Sequence, residues 1–182
     1  MPVMPITETF MPTTRQSWRE WLQVHHAIKK EIWLVTYKSL PALAYRESVE
    51  EALCFGWIDG IQKRMDVEHN AQRFTPRKPK SHWTELNKER AKRMIVAGLM
   101  TRAGYASLPD LSSEAFSIAP DILLALQADP QVWRNFQNFL PMYQRIRIGY
   151  IEEMRRQPDT FKTRLDNFLK KTRQNKQFGT LV

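Results

Sequence analysis

After Ser81 every apolar run in the chain has a helical period, and Pro120, Pro130, Pro141 and Pro158 each stand just ahead of one. Proline at the first helical position gives up only an N–H that has no intrahelical acceptor, whereas within a sheet it removes a ladder bond. The spacing therefore predicts helices near 120–127, 130–139, 141–156 and 158–174, and no sheet in that half. Upstream, Thr84 can cap a helix carrying Leu86, Arg90, Met94 and Ala97 that stops at Gly98, with a shorter helix around Ala103 to Leu108.

The strand signals all precede Pro79. Ile32 to Tyr37 is short, β-branched and aromatic, and Pro41 follows as a break. Trp57 to Met65 and Gln72 to Pro76 read as a hairpin joined by the polar turn Asp66 to Asn70. Strict alternation along the first arm places Trp57, Asp59, Ile61 and Lys63 on one face, with Ile58, Gln62 and Arg64 on the other. Two helices interleave with these strands. One starts at Thr13 or Thr14 and buries Trp18, Trp21 and Leu22. The other carries Glu47, Glu50 and Glu51 in its early turns, where they suit the helix dipole, and ends at Gly56. Strands early and helices late define an α+β class: a small N-terminal antiparallel or mixed sheet of about three strands with two helices, then an all-helical C-terminal half. The domain expectation is a disordered tail over 1–12, an α+β core over 13–110, and a helical region over 111–182 packed on the core or extending from it.

Charge narrows the partners. The net +9 is distributed as −1, +7, −4 and +7 over residues 1–60, 61–102, 103–130 and 131–182. Two basic segments flanking an acidic one favour an anionic partner, either a small molecule or an acidic protein, with nonspecific nucleic acid as a further option. No window holds the roughly 20 apolar residues of a membrane helix, and the N-terminus lacks the charged start and apolar run of a secretory signal. A single cysteine suits a reducing compartment, so the expected location is the cytoplasm.

Candidate chemistry concentrates between Glu51 and Trp83. Cys54 lies in an apolar context at a helix C-terminus, where the dipole disfavours a thiolate, and it reads as a buried structural residue. The four histidines have no ligand spacing, so neither a metal nor another cofactor is expected, and no second carboxylate stands in a working relation to Asp59. Asp59 either pairs with Arg73 or Arg77 as a structural ion pair or faces a ligand. The loop from Arg73 to Trp83 is the strongest binding candidate. Its arginines offer planar donors for phosphate or carboxylate, its aromatics offer stacking faces, and the helix that follows presents N–H groups toward anions. The expected ligand-binding set is Asp59, Lys63, Arg73, Phe74, Arg77, Lys78 and Trp83, with no catalytic residue assigned. Set against it is the reading in which Phe74 and Trp83 are core anchors and the lysines are simply solvated.

Three blocks in order, ALCFGWIDG (52–60), RFTPRKPKSHW (73–83) and NKERAKRMIVAGLMTRAG (87–104), resemble the cytoplasmic bacterial family known as YdeI/OmpD-associated or bacteriocin-protection proteins. The resemblance runs from about Trp18 to Lys176, with Met142 to Arg145 and Pro158 to Lys162 approximating the basic patterns of its C-terminal helices. It implies a link to protection against bacteriocins or cationic peptide antibiotics and to stress tolerance, and it transfers no catalytic residue. The expected function is a non-catalytic cytoplasmic binding or stress-protection protein. The alternatives are a nucleic-acid binder using the basic C-terminal helices and an enzyme of unknown class acting on an anionic small molecule near Asp59 and Arg77.

Overall fold

A computed structural model describes residues 4–39, 43–112 and 116–179, so Pro41 lies outside the described residues. The chain divides into two compact units, one of residues 1–81 and 91–109, the other of residues 82–90 and 110–182. Among the described residues, four strands and eight helices give an α+β architecture with its sheet in the N-terminal half.

The first unit holds β1 (Thr9–Phe10), α1 (Arg15–His25), β2 (Ile32–Tyr37), α2 (Tyr45–Cys54), β3 (Trp57–Arg64), β4 (His69–Pro76) and α4 (Arg102–Ala106). Thr14 caps α1 in a reciprocal box: its hydroxyl accepts from the Ser17 amide at 3.0 Å, and its own amide donates to Ser17 Oγ at 3.1 Å. The sheet has the order β1-β2-β4-β3. β3 and β4 form the expected hairpin, and β2 pairs antiparallel with β4. The sheet has one strand more than expected. Thr9 and Phe10, read from sequence as part of an unstructured tail, pair parallel to Trp33 and Leu34. The hairpin turn is also tighter than read: Asp66 Oδ1 accepts from the amides of Glu68 and His69 at 2.8 and 2.7 Å. That Asx turn starts β4 at His69, which pairs with Tyr37 instead of lying in the turn.

One irregularity changes every face assignment beyond it. Asp59 stands opposite Phe74 but Gln62 stands opposite Gln72, so β3 carries an extra residue between them. This bulge reverses the alternation. Trp57 and Asp59 stay on the Phe74 face, which α1 covers with Trp18 at a ring separation of 5.4 Å. Lys63, expected beside Asp59, moves with Ala71 to the opposite face. There Trp33, Val35 and Ala71 form a small second core over which Ile6 packs.

The second unit is helical, with α5 (Pro120–Gln127), α6 (Pro130–Asn138), α7 (Pro141–Glu152) and α8 (Pro158–Arg173), each opening on proline at its first turn. α3 (Glu85–Val96) is divided between the two units. The second unit's core gathers Ile122, Leu126, Val132, Phe136, Phe139, Tyr143, Ile148, Ile151 and Phe168. Buried Asn135 of α6 donates to the carbonyls of Thr172 and Arg173 at 2.8 and 3.2 Å, satisfying two of the acceptors that the end of α8 leaves open. No helix among the described residues is long and apolar enough to cross a membrane.

Candidate functional site

The residues expected to bind a ligand separate into different environments. Phe74 is fully buried against Trp18 and has no open face for stacking. Arg73, opposite Trp33, is on the other side of the sheet from Asp59, and its Nε donates to Glu31 Oε2 at 2.8 Å. The Thr7 hydroxyl, which donates to Glu31, and then that pair hold the Glu31 carboxyl below its usual range. Lys63 lies over the Trp33 ring at 5.5 Å and donates to the Met4 carbonyl. Three of the seven residues are thus committed to packing or to local partners. The bulge and the strand register are the cause, and neither shows in the local sequence.

Asp59 and Arg77 remain associated in the first unit. The Tyr45 hydroxyl donates to Asp59 Oδ2 at 2.6 Å. Arg77 is anchored by its backbone, whose amide donates to the Gly56 carbonyl at 2.8 Å, and its Nη1 reaches Ser81 Oγ at 3.4 Å. Burial pushes the Arg77 guanidinium down to about 10, and the nearby Asp59 charge offsets only part of that. Lys78 and Lys80 are exposed on the same turn, which closes through a bond from the Ser81 amide to the Lys78 carbonyl at 3.1 Å.

The first unit holds a second charged cluster, between α1 and α2, that no local sequence signal joins. Glu50 and Glu51, expected in early turns where they suit the helix dipole, are only 1% and 2% exposed. Glu51 accepts from Arg15 Nε and Arg19 Nη1, both at 2.6 Å. Glu50 lies 3.2 Å from Arg15, and 3.8 Å from both Arg46 and Arg93. The signal available was Arg15 and Arg19 four apart on one helix and Glu47, Glu50 and Glu51 on the next. Without the helix pairing, nothing connects the two sets. Beside them Cys54 is buried, and burial, reinforced by the Glu51 charge, raises its thiol to about 11.

Trp83 belongs to the second unit, where it is 6% exposed. It lines a cavity of about 330 Å³ with His82, Thr84, Glu85, Phe116, Gly149, Glu152 and Glu153. Thr84 Oγ1 accepts from the Asn87 amide at 3.1 Å and so caps α3 as the sequence suggested. Glu85 pairs with Lys88 at 2.6 Å, Glu152 pairs with Arg155, and Glu153 lies 4.0 Å from Arg164. Burial raises the Glu153 carboxyl above its ordinary value despite the opposing pull of Arg164, His82 and Arg147.

The basic C-terminal segment turns partly inward. Arg147 is 5% exposed and lies 5.2 Å from the Tyr150 ring, which Arg164 approaches to 3.6 Å. Arg145 pairs with Glu89 at 2.6 Å. Lys162, Lys170 and Arg173 are exposed on α8. Among the described residues, no group of three His, Cys, Asp or Glu side chains is placed to hold a metal ion.

The family described as Domain of unknown function (DUF8412) matches residues 10–107, a span that includes all three motif blocks. The family described as Bacteriocin-protection, YdeI or OmpD-Associated matches residues 115–175. No curated protein and no solved structure matches the chain. The second match covers α5 to α8 and shows their similarity to that family, and the first spans more than half of the chain, so the protein belongs to the DUF8412 family.

Proposed function

We propose that this is a non-catalytic cytoplasmic binding protein with a protective role of the kind its C-terminal family is named for, and that it holds a small anionic ligand at the Arg77 turn. One observation carries this reading. The half-buried Arg77 guanidinium lies near the Asp59 charge on a turn fixed by the bond from the Arg77 amide to the Gly56 carbonyl at 2.8 Å, and partial burial lowers its pKa to about 10. An incoming phosphate or carboxylate would add a further opposite charge beside the planar guanidinium, with bidentate geometry. Lys78 and Lys80 on the same exposed turn add to the local positive field. Tyr45 holds the Asp59 carboxylate, which orients the counter-charge and limits its movement toward the guanidinium. From the original candidates, Asp59, Arg77 and Lys78 make up the proposed site, with Tyr45 added.

The test is thermal-shift and calorimetric titration with inorganic phosphate, nucleoside monophosphates, sugar phosphates and dicarboxylates, on the wild type and Arg77→Met. The wild type is expected to be stabilised by at least one phosphate-bearing class. Arg77→Met is expected to lose that response while keeping the wild-type circular dichroism, because the planar donor group that would meet the anion is removed. A ligand response that survives in Arg77→Met, or the absence of any response in the wild type, refutes the assignment.

A further inference from the structure

We propose that the cavity of the second unit is a binding site for a small organic cation, with a primary ammonium or guanidinium head at Glu153 and an apolar stem against Trp83 and Phe116. Its lining shares no residue with the Arg77 turn, and it selects the opposite charge. At about 330 Å³ the cavity has the size of a small-ligand pocket, at the lower end of the usual range. Among the described residues its lining supplies three carboxylates, Glu85, Glu152 and Glu153, with His82 as the one basic side chain and neither a lysine nor an arginine, in a chain whose net charge is +9. Trp83 and Phe116 supply the apolar and π surface that an alkylammonium or guanidinium stem and head both prefer.

The carboxylates are not equivalent. Glu85 is held by Lys88 at 2.6 Å, and Glu152 is held closely by Arg155. Glu153 has the loosest of the three pairings, at 4.0 Å from Arg164, although its side chain is only 27% exposed. Burial costs this carboxylate more than its cationic neighbours return. A donor cation entering the cavity would supply the close charge-assisted hydrogen bond that Arg164 does not reach far enough to make. Gly149 leaves room on the α7 wall, since a Cβ there would press on Glu85 Cγ at 2.9 Å.

The experiment is calorimetric or NMR titration of the full chain with benzylammonium, butylammonium and butylguanidinium chlorides, using benzyl alcohol as the uncharged shape control. Benzylammonium is expected to bind about tenfold more tightly than benzyl alcohol, the effect of one half-buried opposite charge. Glu153→Gln should lose about that factor while keeping the wild-type melting temperature and circular dichroism. Glu152→Gln, whose carboxylate already has Arg155, should change affinity by no more than about twofold. Equal binding of the alcohol and the ammonium would overturn the proposal, as would unchanged affinity in a folded Glu153→Gln, an equal loss in Glu152→Gln, or no binding by any of the three cations.

Discussion

Glu51→Gln tests whether the buried arginine–glutamate cluster holds the first unit together. The change preserves volume and shape and removes one charge. In the wild type the two carboxylate oxygens accept from Arg15 Nε and Arg19 Nη1, each at 2.6 Å, with the Glu51 side chain 2% exposed. The amide can still accept from one arginine, but it turns an NH₂ group toward the other, so donor faces donor. One charge-assisted bond is lost and the other becomes a bond to a neutral acceptor. Hydrogen bonds to charged groups contribute about 1.5–3 kcal/mol each, so the gross loss is about 3–4 kcal/mol. Two features reduce it: the Arg15 and Arg19 side chains are 33% and 21% exposed and can turn toward water, and Arg15 keeps Glu50 at 3.2 Å. The expected net loss is about 2–3 kcal/mol, corresponding to a fall in melting temperature of roughly 4–12 °C for a chain of this length. Urea unfolding at neutral pH followed by tryptophan fluorescence gives the free energy, with Glu47→Gln as the control. Glu47 is 33% exposed and 3.9 Å from Arg15, so its loss should stay below about 0.5 kcal/mol. A Glu51→Gln loss as small as that of the control would show the cluster to be screened like a surface pair and would refute the reasoning.

Cys54 should be inert in the folded protein. Its thiol is raised from 9.0 to about 11, so iodoacetamide at pH 8 should label it only after unfolding, and rapid native labelling would contradict its burial. The sign of the linked pH effect follows directly: between about 9 and 11 the unfolded chain has lost the thiol proton and the folded chain retains it, so stability falls as pH rises through that window. Cys54→Ala should remove that part of the slope. Gly104→Ala should destabilise the first unit by roughly 1–3 kcal/mol or more, because the added Cβ overlaps the Cys54 carbonyl oxygen and Met100 Sδ. That carbonyl is held by the Thr101 hydroxyl at 2.6 Å and its amide at 3.1 Å, so it cannot retreat without breaking those bonds; a melting temperature equal to wild type would disprove this account.

Much of the secondary structure was legible because its causes are local. A proline ahead of a helical-period run, a Thr with Ser three residues on, and a glycine with φ of +74° at position 56 ending α2 all act within a few residues. The fourth strand escaped notice because β1 is two residues long and exists through parallel pairing with a strand more than twenty positions away. The site was legible only in part. Alternation predicts Asp59 and Lys63 on one face, and one extra residue in β3 places them on two. Arg73 suits phosphate in isolation, but the chain fold brings Glu31 to it first. Glu50 and Glu51 suit the dipole of α2 on local grounds, and the packing of α2 against α1 makes them the least exposed charges of the first unit.

By itself, then, the sequence determined the α+β class, the helix boundaries set by proline, the hairpin and the basic, aromatic character of the 73–83 loop. Tertiary structure alone decided which of those charges are paired closely and which stay exposed. The physical reason is that an ion's role depends on its nearest opposite charge and on the water it has lost, and both are properties of contacts between residues distant along the chain. The same lysines and arginines that make the chain basic leave the cavity beside Trp83 lined with carboxylates, a local field that no count of residues along the sequence reveals.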